Sequence, residues 1–280
     1  MLVSGGGRSG TTLLMQLLGT SPLVAFDRIP PYEHRYLTFV LRSALLSRPQ
    51  PLPDGWNQAA MAAARAPMMG PIPWRKAAIA RAGDRPLWVD LFLASWTEIS
   101  RRAIAHEEAR TGTTPTHYAE KAPPWVSGRL DDVLDHDELI PIRDPRDVFV
   151  SVLQFTERRG RGGFGIREGE DPVTFATRFV GGQRRRLTAA IEAEREGTAT
   201  VVRYERMVQD LGAEAARLGD LLGLPFDPDA VLAARPEFRD HMTSPDPESS
   251  IGRWRDELPP EVAAPFEDLA DELAALGYAA

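Results

Sequence analysis

The amino-acid sequence predicts an α/β fold of three layers, in which helices flank a central parallel sheet. Short β-like runs alternate along the 280 residues with longer segments of helical period, as expected of parallel strands joined by helices. A glycine-rich turn joins the first such run to the first helical segment. A chain of this length buries a sizeable core without disulfides, and no shift of composition divides it. We therefore expect one domain over residues 1–280, with a variable insertion at about 35–115.

Each expected element is indicated by a local pattern. The expected strands are short runs rich in apolar and β-branched residues, at 2–4, 117–119, 139–142 and 200–203. The expected helices have an apolar residue every three to four positions, at 11–18, 37–46, 91–109, 125–134, 145–158, 172–195, 213–222 and 261–276. Asp144 and Pro145 form a helix start, and Gly197 ends the long helix before the last strand.

Two segments interrupt this alternation. Seven prolines between residues 48 and 86, interleaved with alanine-rich pieces, predict an irregular insertion. The arginine- and glycine-rich run 158–170 has few apolar residues, which is typical of a mobile loop. Such a loop either closes over a bound anion or is simply solvated, the commoner case, and the sequence leaves both interpretations open.

The composition excludes several classes of protein. The chain has 33 basic and 40 acidic residues, a net charge of -7 and no cysteine. An acidic chain is a poor candidate for a general nucleic-acid binder. Without cysteine it has no disulfide scaffold, no thiolate nucleophile and no cysteine metal ligand. The five histidines show no paired spacing, so we expect no metal site.

The distribution of apolar residues predicts a cytoplasmic protein. The first residues have neither a basic leader nor a long apolar run, so we expect no signal peptide. The most apolar stretch, 36–46, contains Arg42 and is shorter than the roughly 20 residues of a membrane-spanning helix. We therefore expect no membrane span.

A glycine-rich turn at 5–12, Gly-Gly-Gly-Arg-Ser-Gly-Thr-Thr, separates the first expected strand from the first helix. Glycines let successive backbone N–H groups point inward, and the helix start adds partial positive charge, so this turn suits a phosphate. It matches the template G-x-x-x-x-G-K-[ST] at Gly5, Gly10 and Thr12, which predicts a P-loop-NTPase-like fold. Thr11 occupies the position of the template's lysine, which disfavours hydrolysis of ATP or GTP.

The run Arg8-Ser9-Gly10-Thr11-Thr12 resembles the loop with which sulfotransferases hold 3′-phosphoadenosine 5′-phosphosulfate (PAPS). The resemblance is nearer to tyrosylprotein and bacterial sulfotransferases than to the steroid and phenol enzymes. It implies that these five residues bind the phosphosulfate group, with Arg8 supplying charge from a position other than the template's lysine.

A second strand, turn and helix are expected at 139–151. Arg143 lies at the carboxyl end of its strand, where open α/β sheets bind ligands. Ser151 lies about two helical turns further on, so only a ligand leaning along the helix reaches both. The run resembles the sulfotransferase element that holds the 3′-phosphate, which implies that role for Arg143 and Ser151. The alternative is that Arg143 pairs with Asp144 or Asp147.

The resemblance continues toward the C-terminus. A strand ending in Tyr204 resembles the one whose tyrosine contacts the nucleotide in the family. The run that contains Arg253 and Trp254 resembles the segment that closes over the nucleotide. Both aromatic residues have an alternative role as ordinary core residues, since most aromatic side chains are core residues.

Sulfuryl transfer to a hydroxyl requires a group that stabilises charge on the bridging oxygen and a base that removes the acceptor proton. The chain has 31 arginines but only two lysines, Lys76 and Lys121. Lys121 follows an expected strand in a run that resembles the family's Glu-Lys-Thr-Pro element, which implies the first role, with Arg8 assisting. A lysine offers a compact point charge that arginine does not.

The base is expected in the loop after the first helix. Related enzymes carry a catalytic glutamate there, and Glu33 is the nearest match, with Asp27 and His34 left as alternatives. A carboxylate needs a raised pKa to be an efficient base near neutral pH.

These residue assignments together predict a sulfotransferase that transfers the sulfuryl group of PAPS, its cosubstrate, to a hydroxyl-bearing acceptor. The acceptor could be a peptide tyrosine, a carbohydrate or a small molecule. Two alternatives are a P-loop nucleotide kinase or NTPase and a non-catalytic module that binds 3′-phosphoadenosine 5′-phosphate (PAP). We expect no nucleic-acid partner and either a monomer or a homodimer.

Overall fold

The computed structural model of the chain describes residues 1–45, 47, 83–159, 165–234, 243 and 246–278. The strands are β1 (Leu2–Val3), β2 (Val24–Ala25), β3 (His117–Tyr118), β4 (Glu120–Lys121), β5 (Glu138–Ile142) and β6 (Thr200–Arg203). The α-helices are α1 (Thr11–Leu18), α2 (Tyr36–Leu45), α3 (Leu87–Thr111), α4 (Ser127–Leu130), α5 (Pro145–Arg159), α6 (Pro172–Glu196), α7 (Tyr204–Gln209), α8 (Leu211–Leu222), α9 (Pro228–Ala234), α10 (Trp254–Glu257), α11 (Pro260–Ala263) and α12 (Ala270–Ala275). Short 3₁₀ helices cover Glu248–Ser250 and Ala264–Leu269.

The central sheet contains four parallel strands in the order β4-β1-β5-β6. Adjacent residues of a strand point to opposite faces of the sheet, and β1 shows this directly. Leu2 packs with the helices α2, α3 and α4, whereas Val3 packs with α1 and α8. Apolar side chains of helices therefore cover both faces of the sheet, and the expected three-layer α/β fold is confirmed.

The helix ends follow the predicted capping signals. The Asp144 carboxylate accepts a hydrogen bond from the backbone N–H of Arg146 (2.9 Å), which satisfies one of the free donors at the start of α5. Gly197 ends α6 with a φ of 71°, a left-handed conformation that favours glycine. The start of α5 and the end of α6 therefore agree with the sequence prediction.

Several element predictions are wrong. The expected helix at 125–134 is helical only at Ser127–Leu130. The expected helix at 261–276 is divided into α11, a 3₁₀ helix and α12, because Pro265 lacks the N–H that a continuous helix needs. The expected strand at 117–119 ends at Tyr118, pairs with the unanticipated β2 in a separate parallel sheet, and is followed at once by β4. Lys121 therefore lies within a strand rather than after one.

The proline-rich part of the expected insertion lies mostly outside the described residues. Its flanks, α2 and α3, pack against each other through a cluster that includes Leu41, Phe92 and Trp96. In the part of the chain that the structure describes, no helix is both long and apolar enough to cross a membrane.

Candidate functional site

The carboxyl ends of all four central strands meet at one edge of the sheet, as parallel pairing requires. The glycine-rich turn follows β1, Arg143 follows β5, Tyr204 follows β6, and Lys121 ends β4. Residues far apart in sequence are therefore brought to a single edge, which is where α/β sheets bind ligands.

The glycine-rich turn contains two residues with a positive φ. Gly10, which precedes α1, has a φ of 96°, and Arg8 has a φ of 67°. Ser9 Oγ donates to the Gly6 carbonyl (2.7 Å) and closes the turn on itself. A Cβ on Gly10 would lie 2.6 Å from Cδ2 of Tyr204, so glycine is required there for both backbone and packing reasons. Thr11 and the following residues begin a helix whose first N–H groups have no partner within the helix.

The side chain of Arg8 extends from this turn toward α5. Its Nε donates to Ser151 Oγ (2.8 Å), and its Nη2 reaches Thr243 Oγ1 (3.4 Å). Ser151 is fully buried and also shares a hydrogen bond with Thr243 (2.9 Å between the hydroxyl oxygens). Arg8 therefore has its backbone in the phosphate loop and its guanidinium beside Ser151.

Arg143 and Arg253 are buried beside Arg8. Arg143 donates to the carbonyls of Ser250 and Arg8, and its guanidinium carbon lies 4.5 Å from the centre of the Tyr204 ring. Arg253 donates to Gln154 Oε1 (3.0 Å) and to the backbone and side-chain oxygens of Thr243. In both arginines the buried Nε has no hydrogen-bond partner in the described part of the chain.

These arginines have no carboxylate partner in the part of the chain that the structure describes. The alternative pairing of Arg143 is not observed, since Asp144 binds Arg146 (2.8 Å) and Asp147 accepts backbone N–H groups instead. Burial, followed by the positive charge of Arg143, lowers the pKa of Arg8 to about 10. Burial also lowers the pKa of Arg253. Buried like charges with unpartnered donors are costly unless an anion binds among them.

Two aromatic residues border this group of arginines. The Tyr204 hydroxyl and Ser250 Oγ are hydrogen-bonded (3.0 Å). Trp254 stacks under the guanidinium of Arg146, whose carbon lies 3.9 Å from the indole centre, and its buried Nε1 has no partner among the described residues. The Trp254 Nε1–H is thus, like the Nε–H groups of Arg143 and Arg253, a buried donor without a partner among the described residues. Neither aromatic residue is among the fully buried core residues.

Lys121 lies on the other side of the glycine-rich turn. Its Nζ donates to Thr12 Oγ1 (2.8 Å) and to the Pro31 carbonyl, and lies 3.9 Å from Glu33 Oε1. Lys121 is buried, with 4% of its surface exposed, whereas the Glu33 side chain is half exposed. Burial lowers the pKa of Lys121 to about 8, and the Glu33 carboxylate opposes that shift.

The two alternative bases pair with each other. His34 Nδ1 lies 3.4 Å from Asp27 Oδ1, and Asp27 also accepts from the Tyr36 hydroxyl (3.2 Å). Within the described residues, Glu33 is the carboxylate within 4 Å of Lys121. The structure thus brings Glu33, Lys121 and Thr12 together and leaves Asp27 and His34 in a separate pair.

Comparison with known proteins identifies the family. The model of the Sulfotransferase family matches residues 1–228, most of the chain. The chain belongs to the sulfotransferase family. No curated protein matches it in sequence.

The chain is similar to solved sulfotransferase structures. The sulfotransferase domain of the Synechococcus PCC 7002 olefin synthase is 17% identical, with a TM-score of 0.50 over 96% of this chain and 94% of that one. The sulfotransferase domain from the curacin biosynthetic pathway is 17% identical, with a TM-score of 0.48 over 96% of each chain. At this identity the first similarity supports the P-loop-like fold alone.

Some residues of this candidate site carry no signal in the sequence. Thr243 contacts Arg8, Ser151 and Arg253, yet it lies in a segment without periodicity or a recognisable motif. Asp147 accepts from the N–H groups of Gly252 and Trp254, and its place in a polar run could have indicated a cap.

Two sequence predictions fall largely outside the described residues. Lys76 lies there, as do residues 160–164 of the arginine-rich loop. Of that loop's described flanks, Arg158 donates to the Thr243 carbonyl (3.4 Å), and Gly165 accepts from Arg178 (2.7 Å). Both interpretations of this loop, closure over the site and simple solvation, stay open predictions.

A cavity of about 370 Å³ lies near the opposite, amino end of the sheet. It is lined by residues at the starts of β1 and β3, by the segment before β5, and by Trp96 and Ile104 of α3. None of the residues predicted to bind the nucleotide lines it, so it is separate from the sulfotransferase site.

Proposed function

We propose that this chain transfers the sulfuryl group of PAPS to the hydroxyl of an acceptor. The observation that carries this proposal is the convergence of Arg8, Arg143 and Arg253, of which the last two retain unpartnered buried donors. A nucleotide with anionic groups at both its 5′ and 3′ ends would satisfy these charges as well as the phosphate loop.

The residues fit the two ends of such a nucleotide. We assign the backbone of the turn, with Ser9, Gly10, Thr11 and Thr12, to the 5′-phosphosulfate. A second set, assigned to the 3′-phosphate, lies around the guanidinium of Arg8 and consists of Arg143, Ser151 and Arg253. Tyr204 and the free Nε1 of Trp254 are assigned to the nucleoside.

Bound PAPS supplies an activated sulfuryl group on a phosphate leaving group. Lys121 holds its ammonium at Thr12, at the start of α1, where it donates to the bridging oxygen and balances the charge that develops there. Glu33, 3.9 Å from that ammonium, would take the proton of the acceptor hydroxyl as the acceptor oxygen bonds to sulfur. The bond between sulfur and the bridging oxygen breaks in the same transfer, and PAP leaves with that oxygen. The half-exposed position of Glu33 lets an acceptor approach it from solvent.

The contact between Lys121 and Thr12 also argues against a nucleotide kinase or NTPase. In those enzymes the hydroxyl at the template position of Thr12 binds magnesium. Here that oxygen accepts a hydrogen bond from an ammonium 2.8 Å away, and a second cation at the same oxygen would be repelled.

The test uses ³⁵S-labelled PAPS with a panel of tyrosine peptides, carbohydrates and small hydroxyl compounds. We expect transfer to at least one acceptor class, with a loss of about 100-fold or more in kcat for Lys121→Ala and Glu33→Gln. Glu192→Gln, an exposed carboxylate on α6, is the matched control and should leave kcat unchanged.

Nucleotide binding is measured separately by thermal shift. We expect stabilisation by PAP without added metal. Stabilisation by ATP with magnesium but not by PAP would contradict the proposal. Binding of PAP with no transfer to any acceptor would instead support the non-catalytic module.

A further inference from the structure

Two neighbouring residues of β4 hold both ends of the segment that carries Glu33. Lys121 Nζ donates to the carbonyl of Pro31, two residues before Glu33. The Glu120 carboxylate accepts from the backbone N–H of Leu37 (2.8 Å), at the start of α2. The chain on either side of Glu33 is thus attached to a single strand.

Glu120 is a fully engaged, buried carboxylate. Besides Leu37, it accepts from Thr38 N (2.9 Å), from Thr38 Oγ1 (2.6 Å) and from the Tyr118 hydroxyl (2.9 Å). Only 2% of its surface is exposed. Two of its donors are free N–H groups of the first turn of α2, where a negative charge is favourable. The hydrogen bonds therefore fix the start of α2 to the central sheet.

The central sheet fixes β4 in turn. Glu120 and Lys121 lie opposite Leu2 and Val3 in the parallel register of β1, directly before the glycine-rich turn. Neighbouring strand residues leave the backbone on opposite faces, so the two side chains reach the segment at two separate points. A movement of the whole segment relative to the glycine-rich turn would therefore break at least one of these attachments.

We infer that Glu120 is a positioning residue that holds Glu33 opposite Lys121 through the start of α2. This inference rests on the proposed function, because it takes Glu33 to be the base. A base displaced by about 1 Å from its substrate can lose up to about 100-fold in rate, so a rigid attachment of a half-exposed loop has a direct catalytic consequence.

The experiment replaces Glu120 with glutamine in the full chain and measures transfer from ³⁵S-labelled PAPS to the best acceptor of the panel. Glutamine keeps the shape but turns one acceptor into a donor that faces N–H groups. We expect kcat to fall about tenfold while the KM for PAPS stays unchanged, since the arginine site is held by other elements. In a Glu33→Gln background the same change should cost less than about twofold, because the residue acts through Glu33.

A milder pair of variants covers the case in which Glu120→Gln does not fold. Thr38→Val removes one hydrogen bond to the carboxylate, and Thr38→Ser retains it. We expect a lower kcat for the valine variant and normal kcat for the serine variant. Glu214→Gln is a control that removes another buried carboxylate, paired with Arg217 on α8. It should lower stability without lowering kcat selectively at an unchanged KM for PAPS.

Amide hydrogen exchange of residues 32–38 provides a readout that does not depend on activity. Exchange should be faster in this segment of Glu120→Gln than in wild type, by more than any loss of global stability accounts for. Unchanged exchange, or an equal loss of kcat in the presence and absence of Glu33, would overturn the inference. If wild type binds PAP but transfers no sulfuryl group, the proposed function fails, and the exchange measurement alone decides whether Glu120 holds the segment.

Discussion

Lys121 shows how much the surroundings of one residue set its chemistry. An exposed lysine is charged up to about pH 10, but burial lowers the pKa of Lys121 to about 8. Its ammonium is held by Thr12 and the Pro31 carbonyl, and an opposing carboxylate lies at Glu33. Such a group is charged near neutral pH and close to its pKa, as a proton donor to a leaving oxygen needs to be.

The lowered pKa of Lys121 predicts a pH-dependent stability. Between pH 8 and about 10.5 the unfolded chain binds more protons at this lysine than the folded chain, so the free energy of unfolding of wild type rises with pH there. Relative to Lys121→Met, which cannot titrate, wild type should gain up to about 3 kcal/mol across this window.

Urea unfolding at pH 7 and pH 10 measures this difference. Burial of the charged ammonium lowers the free energy of unfolding by its full amount below pH 8, and this penalty decreases as the pH rises above 8. Equal differences between wild type and Lys121→Met at the two pH values would show that Lys121 is not desolvated in the folded state.

The arginines of the site show the limit of motif-based prediction at the residue scale. Arg143 and Arg253 stand out by their sequence context. Their other guanidinium nitrogens bond to Ser250, Gln154 and Thr243, while each buried Nε has no partner among the described residues. Those partners come from distant parts of the chain, and no local pattern announces them.

At the scale of elements, α5 connects the phosphate site to the C-terminal segment. Asp147, in the first turn of α5, accepts from the backbone N–H groups of Gly252 (2.6 Å) and Trp254 (3.1 Å). These bonds flank Arg253, so one buried carboxylate fixes the backbone on both sides of a predicted nucleotide-binding residue. Burial raises the pKa of Asp147, and the two N–H groups favour its charged form.

Asp147→Asn should therefore weaken binding of PAP. The amide keeps the shape but offers weaker acceptance and a donor in place of one oxygen, so the segment around Arg253 loosens. We expect the Kd for PAP, measured by calorimetry, to rise about tenfold, which corresponds to about 1.4 kcal/mol.

Asp256→Asn, an exposed carboxylate in α10, provides the control and should bind PAP like wild type. A wild-type Kd in Asp147→Asn would mean that the closing segment is held in place without this carboxylate.

At the scale of the whole molecule, the C-terminal residues extend a hydrophobic cluster that includes Phe149 of α5 and Phe175 of α6, and they reach the site. Phe266, Leu269 and Leu273 pack against α6 in that cluster. The Tyr278 hydroxyl then donates to Glu205 Oε2 (2.8 Å), and Glu205 accepts from the backbone N–H of Asp144 (2.9 Å). A chain of hydrogen bonds thus links the end of the molecule to the turn that presents Arg143.

Tyr278→Phe should lower both stability and nucleotide affinity. It removes one hydrogen bond from a buried carboxylate, which costs about 1–3 kcal/mol in the free energy of unfolding. Thermal unfolding with and without PAP measures both effects, and we expect a lower Tm and a smaller shift on adding PAP.

Tyr36→Phe serves as the control, because its hydroxyl bonds an exposed site at Asp27 and its loss should cost about 0.5 kcal/mol or less. If Tyr278→Phe lowers the Tm but leaves the shift on adding PAP unchanged, the C-terminal residues stabilise the fold without supporting the turn at Arg143.

Local sequence patterns are enough to predict the fold class and the glycine-rich turn. The alternation of apolar runs predicts a parallel sheet between helices, and glycines beside an arginine and hydroxyls predict the loop at 5–12, because these features depend on neighbours in sequence. The caps at Asp144 and Gly197 are confirmed for the same reason. Apolar periodicity fails to predict helix continuity where a single residue changes the local geometry. Pro265 does this in the expected C-terminal helix.

Sequence patterns alone predict an α/β protein of the sulfotransferase type, with candidate anion-binding residues at strand ends. The tertiary structure sets how those residues are arranged. It brought Arg8, Arg143 and Arg253 together without a carboxylate partner among the described residues, placed Lys121 inside a buried strand, and attached the Glu33 segment to Glu120. Desolvation and contact between distant segments set these charges and positions, and neither is a property of any short stretch of sequence.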